Sequence, residues 1–170
     1  MGLFATRIRT IDDLFLHTLK DIYYAERQFV TILPEMIKKT GDAVLKILLS
    51  RHVNETNQQI TRLDKIFHAM GKPPAGLPCE TIIGIIDEAR QVMSEIHDEH
   101  VLDAAIASSV RNLEHYEMSR YDTLIALAKR LGKKEYLHPL QETLNEEKEA
   151  DRWLILITEP KANEYSGSYI

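Results

Sequence analysis

Apolar residues recur every three or four positions through four long stretches of this chain, a spacing that only α-helices turn into a continuous face. One stripe runs Ile11, Phe15, Leu19, Ile22, then Phe29 or Val30, then Leu33. The others run Val44, Leu48, Leu63, Ile66, Met70; Leu102, Ile106, Leu113, Leu124, Ala128, Leu131; and Leu137, Leu140, Leu144, Leu154. With only 7 glycines and 7% aromatic residues there is little else to read, so the chain is all-α. The breaks are sharp. Thr10, followed by Asp12 and Asp13, caps the first helix, and Asp42 after Gly41 caps the second. Gly71 ends the second, and Lys72 to Pro78, with Pro73, Pro74 and Pro78, cannot be helical. A shorter helix is predicted from roughly Glu80 to His97 and a long one from about Glu99 to Leu131, stopped by Gly132. The last starts between Lys133 and His138 and ends near Thr158. Pro34 is expected to kink the first helix, and Pro139 lies near the start of the last. Lys161–Ile170 shows no periodicity and reads as a frayed end or a contact arm.

Loop length sets the topology. Gly41 and Gly132 allow only tight connections, so the long helices pair as two antiparallel hairpins. The stretch between the hairpins, short helix included, can span a rod of about 42 Å, the length of some 28 residues at ~1.5 Å each. The third long helix can then start at the end where the second began, and the two run parallel. That is the connectivity of a ferritin-like four-helix bundle with one long crossover carrying a short fifth helix. Residues 1–170 are expected to form a single domain, with its core at about 8–158 and a tail at 159–170.

Composition narrows the function. A formal charge of −5, with no basic run longer than two residues, argues against nucleic acid as a partner. The single cysteine, Cys79, rules out an internal disulfide framework or a thiolate zinc cluster. No apolar run is long enough for a membrane, and Met1–Arg7 has no apolar centre of a signal peptide, so a cytoplasmic protein is expected.

Each long stripe is interrupted at its midpoint by acid. Glu26 breaks the first, Glu117 the third (Glu114 lies one turn before), and Glu147 and Asp151 the last. The second is broken by His52, Glu55 and Gln59. Midpoints of antiparallel rods share one level, so these carboxylates should meet in one layer of the core. An unpaired buried ion costs several kcal/mol, and a domain has only about 5–15 kcal/mol in hand. No Lys or Arg stands at the central seam positions. Cations or protons must supply the counter-charge, and a carboxylate-rich cage with one or two nitrogen ligands suits iron or manganese. The interval from Glu26 to Glu55 matches that from Glu117 to Glu147 to within one residue, a faint internal duplication. Tyr23, Tyr24, Tyr116 and Tyr121 read as ordinary core tyrosines rather than as hydrogen-bond partners of the acids. Met36, Met70 and Met118 read as packing. His97-Asp98-Glu99-His100 reads as a solvated turn, and Glu135 with His138 lies about three turns from the acidic layer.

Several segments carry a resemblance: Asp12–His17, Asp21–Gln28, Glu55–Asp64, Asp103–Ile106, Leu113–Glu117 and Glu142–Asp151. Over roughly residues 8–158 the chain resembles the YciE/YciF family of bacterial stress-associated proteins. The resemblance implies a ferritin-like bundle, usually a homodimer, related to rubrerythrin-type di-iron proteins. It implies metal ligands at Glu26, Glu55, Glu114, Glu117 and Glu147. Di-iron relatives carry Glu-x-x-His on the second and fourth long helices; here Gln58 and Ala150 stand at the histidine positions. His52 and Asp151 are the available substitutes. The expectation is a di-metal protein handling iron or reducing oxygen or peroxide. The alternative is a metal-free structural or stress-associated bundle acting as a dimeric interaction scaffold through the crossover helix and tail.

Overall fold

The computed structural model describes residues 8–158, so the expectation for Lys161–Ile170 lies outside the described residues. Five α-helices form: α1 (Ile11–Lys39), α2 (Ala43–Ala69), α3 (Glu80–Glu95), α4 (Glu99–Arg130) and α5 (Leu137–Thr158), with a 3-10 turn at Lys134–Tyr136 before α5. Their ends are chemically specified. The Asp13 amide donates to Thr10 Oγ1 and the Thr10 amide to Asp13 Oδ2, each at 3.0 Å, a reciprocal capping box. Asp42 Oδ1 accepts from the Leu45 amide at 2.7 Å, and Asp98 Oδ1 accepts from the amides of His100 and Val101. Gly71 and Gly132 adopt φ of 65° and 68°, the left-handed turn that closes α2 and α4. The following amides, Lys72 and Lys133, reach back to the carbonyls of Phe67 and Ala128, both at 2.9 Å. Pro34 is carried inside α1 without ending it. Pro139 falls in the first turn of α5, where a missing N–H costs nothing.

The four long helices pack in the cyclic order α1, α2, α5, α4. Cross-links give their directions. Thr40 at the end of α1 bonds Asp103 near the start of α4, while Asp12 at the start of α1 pairs with Lys133 just past the end of α4. Arg51 and Arg62 of α2 reach Glu149 and Glu142 of α5, in reversed order. Neighbours are thus antiparallel, and α2 and α4, on a diagonal, run the same way, as the crossover requires. α3 lies over α1 and α4, burying Ile82, Ile86, Ala89 and Met93. The crossover is tied down where the Leu77 amide donates to the Lys20 carbonyl at 3.1 Å, and a Cβ on the nearby Gly76 would stand 3.1 Å from Tyr24 Cα. Glycine makes that approach without displacing α1 or the crossover.

The core follows the stripes, with one change of register. In α2 it is Leu45 and Leu49 that are buried, whereas Val44 is 58% exposed and Leu48 half-buried. Both lines are apolar, so periodicity offers two faces, and packing against α1 and α5 selects one.

Candidate metal centre

Above and below the middle of the bundle the core is hydrocarbon: Phe15, Leu19 and Ile22 at one end, Ile32, Leu33 and Leu45 at the other. Between them lies a polar layer. Glu26 of α1, His52 of α2, Glu114 and Glu117 of α4 and Glu147 of α5 are all buried, the four glutamates at 0–1% exposure. The helical repeat explains how α4 gives two: positions three apart lie on one face one turn apart. One ligand atom from each of His52, Glu114, Glu117 and Glu147 can be chosen so that all lie within 4.8 Å of one another. His52 Nε2 stands 3.0 Å from Glu114 Oε1 and 3.8 Å from Glu147 Oε2. These are ionic contacts without hydrogen-bond angles, since neither nitrogen of His52 has a hydrogen-bond partner.

The acids are held from behind. The Tyr121 hydroxyl, fully buried, donates to Glu26 Oε1. Gln59 Nε2 donates to Glu147 Oε1 and, at 3.1 Å, to Glu146 Oε2. The Phe29 ring meets the His52 ring edge-on with centroids 4.9 Å apart. The remaining oxygens make no hydrogen bond: Glu26 Oε2, Glu147 Oε2, both oxygens of Glu114 and both of Glu117 are buried without a hydrogen-bond partner, two of them in ionic contact with His52. Native interiors leave few polar atoms unpaired, and rarely several together.

The electrostatics follow. Burial, with Glu114 adding repulsion, pushes Glu26 up to about 8 against the pull of Tyr121 and His52. Burial and neighbouring acids hold Glu117 and Glu147 well above the usual carboxylate range. Burial disfavours a charged His52, yet Glu114, Glu55 and Glu26 outweigh it and raise the imidazole to about 10. Glu26, Glu117 and Glu147 therefore hold protons to higher pH than exposed carboxylates do, unless cations replace them.

Two of the seven expected ligands stand at the rim. Glu55 is partly exposed; Arg51 Nε donates to its Oε1 at 2.7 Å, and its Oε2 lies 3.7 Å from His52 Nδ1. Asp151 accepts from Arg111 Nε at 2.8 Å and lies 3.1 Å from His115 Nε2. His97, His100, His115 and His138 are exposed. The rim arginines were not legible as a set. Arg51 is visible four residues before Glu55, but Arg62 on Glu146 and Arg111 on Asp151 come from other helices. Thr56, fully buried beside the layer and bonded to the His52 carbonyl, also went unread because threonine breaks no stripe.

The donor set fits a transition metal. Carboxylate oxygens with one imidazole, several free and converging, suit iron or manganese better than copper or zinc. Residues that orient each ligand from behind are a usual part of such centres.

Comparison with known proteins agrees with this architecture. Residues 10–167 match the family described as Domain of unknown function (DUF892). Protein YciF of Escherichia coli (strain K12) is 34% identical over 145 residues, covering 85% of this chain and 87% of that protein. The crystal structure of that stress protein superposes with a TM-score of 0.84, covering 89% of this chain and 96% of the other. YcfI from Rhodopseudomonas palustris is 45% identical with a TM-score of 0.87, covering 90% and 98%. A ferritin-like, diiron-carboxylate protein from Bacillus anthracis, 14% identical, shares the fold with a TM-score of 0.67 over 88% and 97% of the two chains. The chain therefore belongs to the DUF892 family, as a YciF-like protein with a ferritin-like fold.

Proposed function

We propose that this protein holds iron or manganese in its core and serves iron handling or the reduction of oxygen or peroxide under stress. Glu26, His52, Glu114, Glu117 and Glu147 would be the ligands, with Glu55 and Asp151 at the rim. The observation that carries this reading is the convergence of buried carboxylate oxygens without hydrogen-bond partners, from α4 and α5, on a buried imidazole of α2. Bound iron or manganese supplies one-electron exchange to small oxidants. The chain's own contribution is positional. Tyr121 and Gln59 each occupy one oxygen of an acid and leave the other facing the cage. Phe29 packs on the His52 ring, and leucines and phenylalanines close the layer from above and below. Among the described residues no helix is long and apolar enough to cross a membrane. A homodimer is part of the same reading and is checked by hydrodynamic mass.

Glu117→Gln is the test. Neither Glu117 oxygen has a hydrogen-bond partner, so the isostere breaks no hydrogen bond and replaces an acid that could ionise to bind a cation with an amide that cannot. After anaerobic Fe(II) loading the wild type should carry about two ions per chain, as bundle di-metal sites do. The variant should lose most of them, together with the metal-induced rise in Tm, while its metal-free Tm is no lower than wild type. A wild-type chain that takes up no metal would refute the reading in favour of a metal-free bundle.

A further inference from the structure

The polar layer is not sealed on all sides. A pocket among α2, α4 and α5 runs from the surface to the ligands, with His52 and Glu114 at its floor and Arg51, Glu55, Glu149 and Trp153 nearer solvent. The floor is buried, and both nitrogens of His52 and both oxygens of Glu114 lack a hydrogen-bond partner there. Of the outer residues Arg51 is 52% and Glu149 53% exposed, while Glu55 lies deeper at 18%.

One ion-paired chain crosses this mouth. Trp153 Nε1 donates to Glu149 Oε1 at 3.4 Å, and Arg51 Nη2 lies 3.6 Å from the same oxygen. Arg51 Nε donates to Glu55 Oε1 at 2.7 Å, and Glu55 Oε2 faces His52. Arg51 therefore ties an α5 acid to an α2 acid across the opening, and it occupies the carboxylate positions that an incoming cation would use first. We propose that this mouth is the route by which divalent cations reach the core, with Glu55 and Glu149 as receiving carboxylates and Arg51 as a displaceable latch over them. The proposal rests on the metal reading above and adds its kinetic control. Glu55, a partly exposed acid one turn from His52, then has a role its rim position fits: it turns from Arg51 toward the cage as the cation passes.

The chain carries its own reporter. Trp153 is the sole tryptophan and lines the mouth, so a paramagnetic ion passing to the floor quenches its emission. Stopped-flow mixing of Co(II) with the metal-free full chain reads the association rate. Arg51→Gln should raise that rate about 3- to 10-fold at low salt, with the gain shrinking as salt screens the mouth, and with stoichiometry unchanged. Arg90→Gln, on α3, removes an equal charge from an exposed pair with Glu35 of α1, outside the mouth, and should leave the rate within about 2-fold of wild type. Saturable quenching with an unchanged rate in Arg51→Gln overturns the latch alone, as does equal acceleration by Arg90→Gln. No saturable quenching in the wild type overturns the metal reading and the latch with it.

Discussion

In the metal-free protein, stability should fall as pH rises from 5 to 8. Glu26 titrates at about 8 in the folded chain against an ordinary 4.5, so over this window the folded state keeps a proton that the unfolded state has lost. Fewer protons bound in the unfolded state means that the free energy of unfolding decreases with pH, by up to ~1.4 kcal/mol per unit for one group. For Glu26 alone that is about 4 kcal/mol across the window, or roughly 8–16 °C in Tm for a domain of this size. Glu117 and Glu147, also raised by burial, act in the same direction. So does His52: its stabilisation as a cation is complete below its ordinary 6.5 and is lost as pH rises through about 10. Asp13, Glu35 and Glu55 are shifted down, so their stabilisation is complete above about pH 5 and lost only below it, leaving the window flat for them. Metal reverses the slope, because ligands must release protons to bind and affinity grows with pH. Calorimetric melts at pH 5, 6, 7 and 8, in chelator and with excess Mn(II), should diverge as pH rises. A metal-free Tm that stays level or climbs from pH 5 to 8 would refute a buried, proton-holding acid layer.

Tyr121→Phe removes the donor to Glu26 Oε1 and leaves a second buried oxygen of that acid unpaired. It should destabilise the metal-free protein by about 1–3 kcal/mol in urea titrations, and an unchanged midpoint would show that the bond contributes nothing. Gly76→Ala places a methyl 3.0 Å from Tyr24 Cβ and 3.1 Å from its Cα, atoms of α1 that cannot move aside. The crossover must lift, at a cost of about 1–3 kcal/mol. Gly84→Ala, exposed on α3 with nothing within 4 Å of the new methyl, is the matched control and should stabilise by up to ~1 kcal/mol.

Local chemistry alone determined the rods and their order. Thr10, Asp42 and Asp98 cap helices wherever they stand, Gly71 and Gly132 supply the left-handed turn, and the three- and four-residue spacing marks each buried face. The depth of the acids was also legible, because Glu26, Glu117 and Glu147 each interrupt an apolar stripe near its middle, and the middles of antiparallel rods share one height. The composition of the layer was decided only by packing. A helix carries adjacent apolar lines, and rotating α2 by one residue exchanges Val44 for Leu45. That rotation keeps His52 inward and sends Glu55 to the rim. Asp151 met Arg111 and Glu146 met Arg62 because long guanidinium arms reach across from other helices, and spacing along one strand of sequence carries no record of such reach. The same is true of Tyr121, whose hydroxyl finds Glu26 from a helix nearly a hundred residues away. Whether an acid ends buried and unpartnered or paired at the surface depends on which neighbour's side chain arrives beside it, and that is settled by three-dimensional packing.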